Sequence, residues 1–228
     1  MKHLLALLIG WVSLGQAQIL LPIAARVIHN AGSSSINTTP VQSVTSSRTN
    51  VITFGSAVTA GNLLTIVMSN DGLGGTITGC TDTQSNTWTL ATAGAGSFSY
   101  GVEIWYAKNV AAGSTTVTCT MSTANTVYIQ GNEWSGASTT APLDSVATPT
   151  TGSSSVGPLT TSLDNELLLV GKISNTAGPC TGYTQMFNVS FNAGSNEADR
   201  GASTTAGSYT ASSCSNGVFA VTVMAALK

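Results

Sequence analysis

The chain has 228 residues and carries only seven Lys or Arg and nine Asp or Glu, a charged fraction of 7% against about 25% in ordinary soluble domains. This weak, slightly acidic charge balance argues against a nucleic acid as partner, and a hydrophobic content of 42% argues against a disordered chain. With 34 threonines, 29 serines and 24 glycines, the composition favours strands and turns over helices.

Residues 1–17 are typical of a secretory signal peptide. Lys2 and His3 precede an apolar run over residues 4–14, and Ala17 provides a small residue at the cleavage position. The run is too short to span a bilayer comfortably. We therefore expect cleavage after Ala17, a mature chain without a membrane span, and a secreted protein that is extracellular or held at the cell surface.

Residues 18–40 form an apolar segment followed by a polar linker. The apolar part, 18–30, reads QILLPIAARVIHN and is strand-length on both sides of Pro22. It is expected either to form an edge strand of its own domain, where proline is tolerated, or to act as a donor strand that completes the sheet of a neighbouring copy. The second alternative makes the protein a subunit of an extracellular, pilus-like filament.

Short strands alternate with glycine-rich turns after residue 41. The first strands are predicted at 51–54, 63–68, 76–80, 86–90, 100–108, 115–121 and 126–130. The run 63–68 is continuously apolar, which predicts burial of both its faces, and 91–97 is expected to be a turn. In 100–108 an aliphatic face alternates with a face that carries Glu103 and Trp105, and we expect the aliphatic face to be the core.

Further strands are predicted at 143–146, 156–161, 167–173, 183–189, 208–212 and 218–227. Many short strands with frequent turn signals predict an all-β fold, an antiparallel, jelly-roll-like β-sandwich over residues 41–228. Two immunoglobulin-sized halves, 41–137 and 138–228, are the alternative. We favour one sandwich in which each half contributes strands to both sheets.

The two halves contain an internal duplication. GNLLTIVMSN at 61–70 is echoed by NELLLVGKISN at 165–175, and AGSTTVTC at 112–119 is echoed by AGSYTASSC at 206–214. Four cysteines in a secreted protein indicate disulfides, and a duplicated unit most simply carries its own bridge. We therefore predict the pairs Cys80–Cys119 and Cys180–Cys214.

Four motifs resemble a β-sandwich module, jelly-roll or immunoglobulin-like, that recurs in secreted bacterial and phage-associated surface proteins. They are SAVTAGNLLTIV at 56–67, IWYAKNVAAGSTTVT at 104–118, EWSGASTTAPLD at 133–144 and the closing FAVTVMAALK at 219–228. Such modules are adhesive, carbohydrate-binding or assembly domains. The resemblance implies a non-enzymatic protein whose partner is a carbohydrate, a cell-surface ligand or further copies of itself.

Aromatic side chains are the candidate ligand-binding residues, because sugar C–H faces stack on aromatic rings while sugar hydroxyls seek polar partners such as carboxylates. Trp105 is the first candidate, since it lies on the face opposite the aliphatic one, and Glu103 is beside it. The others are Trp134, Trp88, Tyr100 and Tyr183. The alternative for each ring is a place in the core.

Catalysis and metal binding have weaker support. No hydrolase or metalloprotease motif is present, so we expect no catalytic residue. A glycosidase is the third candidate function, and Glu103 and Glu133 would be its pair of carboxylates. The alternative for both residues is hydrogen bonding inside the sandwich. Asp71 and Asp82 lie in polar turns whose oxygens suit a structural Ca²⁺, although Asp is also an ordinary turn residue. We expect no other cofactor.

Overall fold

The structure is a computed structural model that describes residues 32–70, 75–96, 99–123, 127–191, 194–216 and 220–228. These residues belong to one compact unit, Ala31–Lys228. Within the described ranges no helix is long and apolar enough to cross a membrane. The predicted signal peptide, the apolar segment 18–30 and Asp71 lie outside the described residues.

The predicted all-β fold is confirmed. The first half contains β1 (Gln42–Ser47), β2 (Val51–Thr53), β3 (Leu63–Asn70), β4 (Ile77–Asp82), β5 (Trp88–Ala95), β6 (Gly101–Ala107), β7 (Thr116–Met121) and β8 (Val127–Trp134). The second half contains β9 (Leu143–Val146), β10 (Thr150–Thr151), β11 (Val156–Thr161), β12 (Leu167–Ser174), β13 (Thr176–Ala177), β14 (Thr184–Phe191), β15 (Gly194–Ala202), β16 (Gly207–Ala211), β17 (Ser215–Asn216) and β18 (Val221–Leu227).

Each half folds into a large sheet and smaller β-structure. The first large sheet has the order β1-β8-β3-β6-β5, and the first small sheet has the order β2-β7-β4. The second large sheet has the order β10-β18-β12-β15-β14, with β9 also paired to β18, while β11-β16 and β13-β17 form two-stranded sheets. The ladders between these strands are antiparallel. When the strand orders of the two large sheets are aligned, β3 corresponds to β12, β8 to β18, β6 to β15 and β5 to β14. The duplication seen in the sequence is therefore also present in the fold.

Apolar clusters show how the sheets stack. One cluster lies between the two large sheets and joins Leu63 and Ile104 to Leu169. A second lies between the first large sheet and the first small sheet, and a third lies between the second large sheet and the β11-β16 sheet. The layers therefore run small sheet, large sheet, large sheet, small sheet.

The expectation that each half contributes strands to both sheets is wrong, because each large sheet is built from one half. The physical reason lies in the central strands. Every residue of β3 and of β12 is buried, so each large sheet needs cover on both faces. Its own small sheet covers one face, and the large sheet of the other half covers the second.

Gly171 of β12 marks the close approach of the two large sheets. A Cβ atom at this position would lie 2.7 Å from Val67 Cγ1, 2.8 Å from Val102 Cγ1 and 3.3 Å from Val223 Cγ2. Real Cβ atoms almost never come within 3 Å of another atom, since protein interiors are close-packed. A glycine here lets the halves meet at this distance.

One local expectation is wrong, and two further features were not predicted. Residues 91–95, expected in a turn, continue β5, because pairing with β6 continues to Ala95 and Gly101. The aliphatic face of β6 is core, as expected, but the opposite face is buried as well, since the first small sheet covers Glu103 and Trp105. The linker after Gly32 packs on the sandwich, with Ile36 5% exposed in the cluster between the large sheets.

Candidate binding site

A cleft of about 400 Å³ opens at the end of the first large sheet where β5 and β6 pair. Small residues at 93–96 form one wall, and Tyr100 and Gly101 form the second. Asn70 at the end of β3 and Thr76 before β4 contribute a third, with Glu103 further along β6. Because the walls are mostly Gly and Ala, the cleft is open to a ligand that approaches the backbone closely.

Asn70 holds the strand ends in place around the cleft. Its Nδ2 donates to the carbonyl oxygen of Gly75 at 2.6 Å, and its Oδ1 accepts the backbone N–H of Gly101 at 3.1 Å. A Cβ atom on Gly101 would lie 2.7 Å from Asn70 Nδ2, so a side chain there would displace the amide. Glycine at 101 therefore allows the buried Asn70 to bridge two strand ends.

Glu103 lines the cleft as a buried carboxyl, 4% exposed. Its Oε1 accepts the backbone N–H of Ile77 at 3.1 Å, and its Oε2 accepts Nε1–H of Trp105 at 2.7 Å. Burial raises the pKa of Glu103, against the opposing effect of the two hydrogen bonds. Since both oxygens already accept a hydrogen bond, Glu103 acts first as a structural tie between β6 and β4.

The three candidate tryptophans are core residues. Trp105 is 8% exposed, Trp88 is 9% exposed and Trp134 is fully buried. Their indole N–H groups donate within the fold, Trp88 to Asp82 Oδ2 at 2.9 Å and Trp134 to Thr65 Oγ1 at 2.8 Å. The interpretation of Trp105 as an open stacking ring is therefore wrong, because the first small sheet covers its face.

Tyr100 and Glu103 are the candidate residues that the structure brings together in the cleft. Tyr100 is half-buried at the cleft wall. Tyr183 lies in the second half, where its ring limits the space at Gly201. Burial, with the nearby Asp199 and Tyr209, raises the pKa of Tyr183 to about 12. Because Tyr183 is not among the residues that line the cleft, Tyr100 remains the aromatic candidate for ligand contact.

Glu103 and Glu133 lie on different strands and bind different parts of the fold. On β3, Glu103 pairs with Met68 and Glu133 pairs with Leu64. Four residues along the strand and two strand spacings separate their Cα atoms by about 16 Å. The two carboxyl groups also hydrogen-bond to different segments, Glu103 to Ile77 and Trp105 and Glu133 to residues 42, 59 and 62, and no hydrogen-bond partner among the described residues is common to both.

Glu133 instead ties neighbouring segments together. Its Oε1 accepts the backbone N–H of Thr59 at 2.8 Å and Nδ2–H of Asn62 at 2.6 Å. Its Oε2 accepts Nε2–H of Gln42 at 2.6 Å. Glu133 therefore forms hydrogen bonds within the sandwich, which is the alternative to a catalytic role for this residue.

Asp82 is placed in a turn that leaves no room for calcium. Its two oxygens accept the backbone N–H groups of Gln84 and Asn86, the side-chain amide of Asn86 and the indole of Trp88, at 2.9 to 3.1 Å. These donors occupy the positions that a cation would take. No metal-binding group of three or more His, Cys, Asp or Glu occurs in the part of the chain that the structure describes.

The two predicted disulfides are confirmed. Cys80 bonds to Cys119 and Cys180 bonds to Cys214, with sequence separations of 39 and 34 residues. Cys80 and Cys119 face each other on β4 and β7. Each bridge stays within one half, as the duplication predicts, and both are compatible with an oxidising, extracellular compartment.

Sequence reasoning missed a buried charge cluster in the second half: Lys172, Glu197 and Asp199, whose side chains are 0% exposed. The segment GSNEADRGA over 194–202 reads as a polar loop, yet it forms β15 between β12 and β14. The duplication offered a signal, because Lys172 is the sixth residue of β12, at the position that Met68 occupies in the continuously apolar run it echoes.

No protein-family model, curated protein or solved structure matches this chain.

Proposed function

We propose that the chain is a secreted, non-catalytic β-sandwich module that binds a carbohydrate or another uncharged surface ligand in the cleft beside Tyr100. The observation that carries the proposal is the cleft itself. Its volume of about 400 Å³ falls within the range of about 300 to 1,000 Å³ that is usual for small-molecule sites. The resemblance to secreted surface modules agrees with this proposal.

The chemistry of the cleft favours a neutral, polar ligand. The aromatic ring of Tyr100 suits stacking against a sugar C–H face. Residues 93–95 lie on β5, the edge strand of its sheet in the described residues, and an edge strand presents outward backbone groups to which ligand hydroxyls can hydrogen-bond. Glu103, whose oxygens are engaged and whose pKa is raised, gives no strong anionic field that would select a cation.

A glycan array with the full chain in oxidised form tests this proposal. Wild type is expected to retain a glycan, Tyr100→Ala to lose it and Tyr100→Phe to keep it, because stacking needs the ring and not the hydroxyl. Thermal unfolding of the three proteins controls for misfolding. Absence of any retained glycan, or retention by Tyr100→Ala equal to that of wild type, would overturn the proposal.

A filament subunit is the second candidate, and an edge strand favours it. In the described sheets β1 lies at the end of its sheet and pairs through β8. Val41, just before β1, is 52% exposed. An edge of this kind is a template for an added strand from another chain.

Negative-stain microscopy and size-exclusion chromatography separate the two candidates. The filament proposal expects oligomers or fibres from the chain beginning at Gln18, and monomers once residues 18–30 are deleted. Unfolding midpoints of both proteins show whether the deletion spares the fold. A wild-type monomer at all accessible concentrations, or assembly that survives the deletion, would rule out donation of this segment.

A further inference from the structure

The buried charge cluster of the second half is an unusual arrangement for a protein with so few charges. Lys172 Nζ lies 2.6 Å from Asp199 Oδ2 and 3.6 Å from Glu197 Oε1. Two carboxylates facing one ammonium in a dry core carry a large desolvation cost, which their mutual attraction does not reliably offset. A reaction that removes these charges would therefore be favoured by the surroundings.

The contacts orient Asp199 toward the lysine. Asp199 Oδ2 accepts the backbone N–H of Cys180 at 2.8 Å as well as Lys172 Nζ–H. Asp199 Oδ1 is buried and has no hydrogen-bond partner. The amine also donates to the carbonyl oxygen of Gly178. Lys172 is thus held on one side of a carboxyl group whose second oxygen is left unsatisfied.

We infer that Lys172 and Asp199 form an intramolecular isopeptide bond, with Glu197 transferring protons between them. Lys172 Nζ forms a bond to Asp199 Cγ, and one Cγ–O bond breaks. Two of the three ammonium protons leave with that oxygen as one water molecule, and the third stays on the new amide nitrogen. Nothing is oxidised or reduced, and Glu197 ends in the protonation state in which it began.

The distance between the amine and the carboxyl carbon is close to that needed for attack. Since Nζ is 2.6 Å from Oδ2, it lies about 3 to 3.5 Å from Cγ, the separation of a reactive conformer. The N–H of Cys180 points at Oδ2, where negative charge develops in the tetrahedral intermediate, as an oxyanion donor does. Holding both groups in the folded core replaces a slow bimolecular condensation by an intramolecular one.

Glu197 is suited to move the protons. Its side chain is fully buried, and Gln185 Nε2 and Asn188 Nδ2 donate to its two oxygens. Burial, with the charge of Asp199, raises the pKa of Glu197 to about 7, against the opposing effects of Gln185 and Lys172. A carboxyl with such a pKa gives and takes protons near neutral pH.

The first half shows the same place in the fold without the reacting groups. In the register of β3 with β6, Met68 pairs with Glu103 and Ile66 pairs with Trp105. In the register of β12 with β15, Lys172 pairs with Glu197 and Val170 pairs with Asp199. Met68 and Trp105 therefore stand where the second half has Lys172 and Asp199. This supplies Lys172→Met as a variant that this fold already accommodates at the matching site.

The intact mass of the folded, full chain decides the question. The protein with both disulfides is expected to be lighter than its sequence mass, corrected for those bridges, by one water molecule. After reduction, trypsin is expected to leave Lys172 uncut and to yield the fragment 109–200, because acylated lysine is not cleaved. Fragment spectra should join residue 172 to residue 199, which distinguishes the isopeptide from dehydration elsewhere.

Variants separate the roles of the residues. Lys172→Met and Glu197→Gln are both expected to keep the full mass calculated for their sequences. Lys228→Met is the matched control: Lys228 Nζ also lies 2.6 Å from a carboxylate, Asp144 Oδ1, but the lysine side chain is 26% exposed. This variant should lose water as wild type does.

Wild type that is folded, with both bridges formed, and that keeps its full mass would overturn the inference, even if a variant fails to fold. A loss of water that persists in Lys172→Met, or that disappears in Lys228→Met, would do the same. Dehydration in Glu197→Gln at the wild-type rate would remove Glu197 from the reaction. The test is independent of any ligand, so its outcome is distinct from that of the glycan array.

Discussion

Replacing Gly171 by alanine tests whether the two halves are held together face to face through their large sheets. The added Cβ would stand 2.7 Å from Val67 Cγ1 and 2.8 Å from Val102 Cγ1, about 1 Å closer than an ordinary contact between carbon atoms. Both valines belong to the other half and lie in the cluster between the large sheets, and Gly171 is buried in β12. The backbone must shift or the halves must separate slightly.

The expected cost follows from overpacking a dense core, which is about 1 to 3 kcal/mol. Alanine in place of glycine also stabilises by roughly 0.4 to 1 kcal/mol through the unfolded state. Gly79→Ala isolates that second contribution, because Gly79 lies in β4 and a Cβ there would meet nothing within 4 Å. The difference in unfolding free energy between the two variants should therefore be about 1 to 3 kcal/mol.

Urea denaturation followed by tryptophan fluorescence measures this difference in unfolding free energy. In calorimetry the melting temperature should fall by about 2 to 4 °C per kcal/mol for a domain of this size. Gly171→Val, which adds two further methyl groups, should be worse than Gly171→Ala. If Gly171→Ala is as stable as Gly79→Ala, the large sheets do not meet as closely as described, and the stacking of four layers is refuted.

Three other predictions test separate parts of the fold. Trp105→Ala should lower the free energy of unfolding by about 3 to 5 kcal/mol. Leu90→Ala, which changes the 42% exposed partner of Trp105 on β5, should lower it far less. Equal urea midpoints for the two variants would show that Trp105 is not a core residue. Replacing Cys80 and Cys119 by alanine opens a 39-residue loop and should cost about 4 kcal/mol in the chain-entropy model, and a smaller loss in calorimetry would point to a compact unfolded state. Burial raises the pKa of Glu166 to about 7 from 4.5, so the folded state binds the proton more tightly; the stability this gives is present below pH 4.5 and is lost as pH rises through 7. Glu166→Gln should flatten this loss between pH 5 and 8, and an unchanged slope of stability against pH would contradict the assignment.

Strand positions were predictable wherever the hydrophobic pattern alone determines them. The continuous apolar runs of β3 and β12 indicate strands covered on both faces, and the duplicated cysteines predict the two bridges. These features can be predicted because apolar runs and cysteine spacing are read directly from the local sequence. The layer that covers each face of a sheet cannot be predicted in this way, since it depends on which distant segment packs there.

The missed features are those in which polar residues are buried. β15 reads as a loop because Ala198 is the one apolar residue in 194–201. Its buried carboxylates nevertheless find partners in Lys172 on β12, Gln185 on β14 and the backbone N–H of Cys180. The alternation of side chains along β6 predicts an open face that carries Trp105. Alternation cannot show that a second sheet covers this face. In both cases tertiary contacts override the local pattern.

The two halves show how one fold supports different chemistry at one position. In the first half, Glu103 accepts the indole N–H of Trp105 beside Met68, an arrangement with one ionisable group. In the second half, Lys172, Glu197 and Asp199 occupy the matching places and bring three ionisable groups into contact. An apolar cluster lies beside this position in both halves, and the first half forms the same strand pairing with Met68 and Trp105 in place of the charged pair. What the charged set adds is proximity in a dry core, and proximity between an amine and a carboxyl is the condition for joining β12 to β15 by a covalent bond.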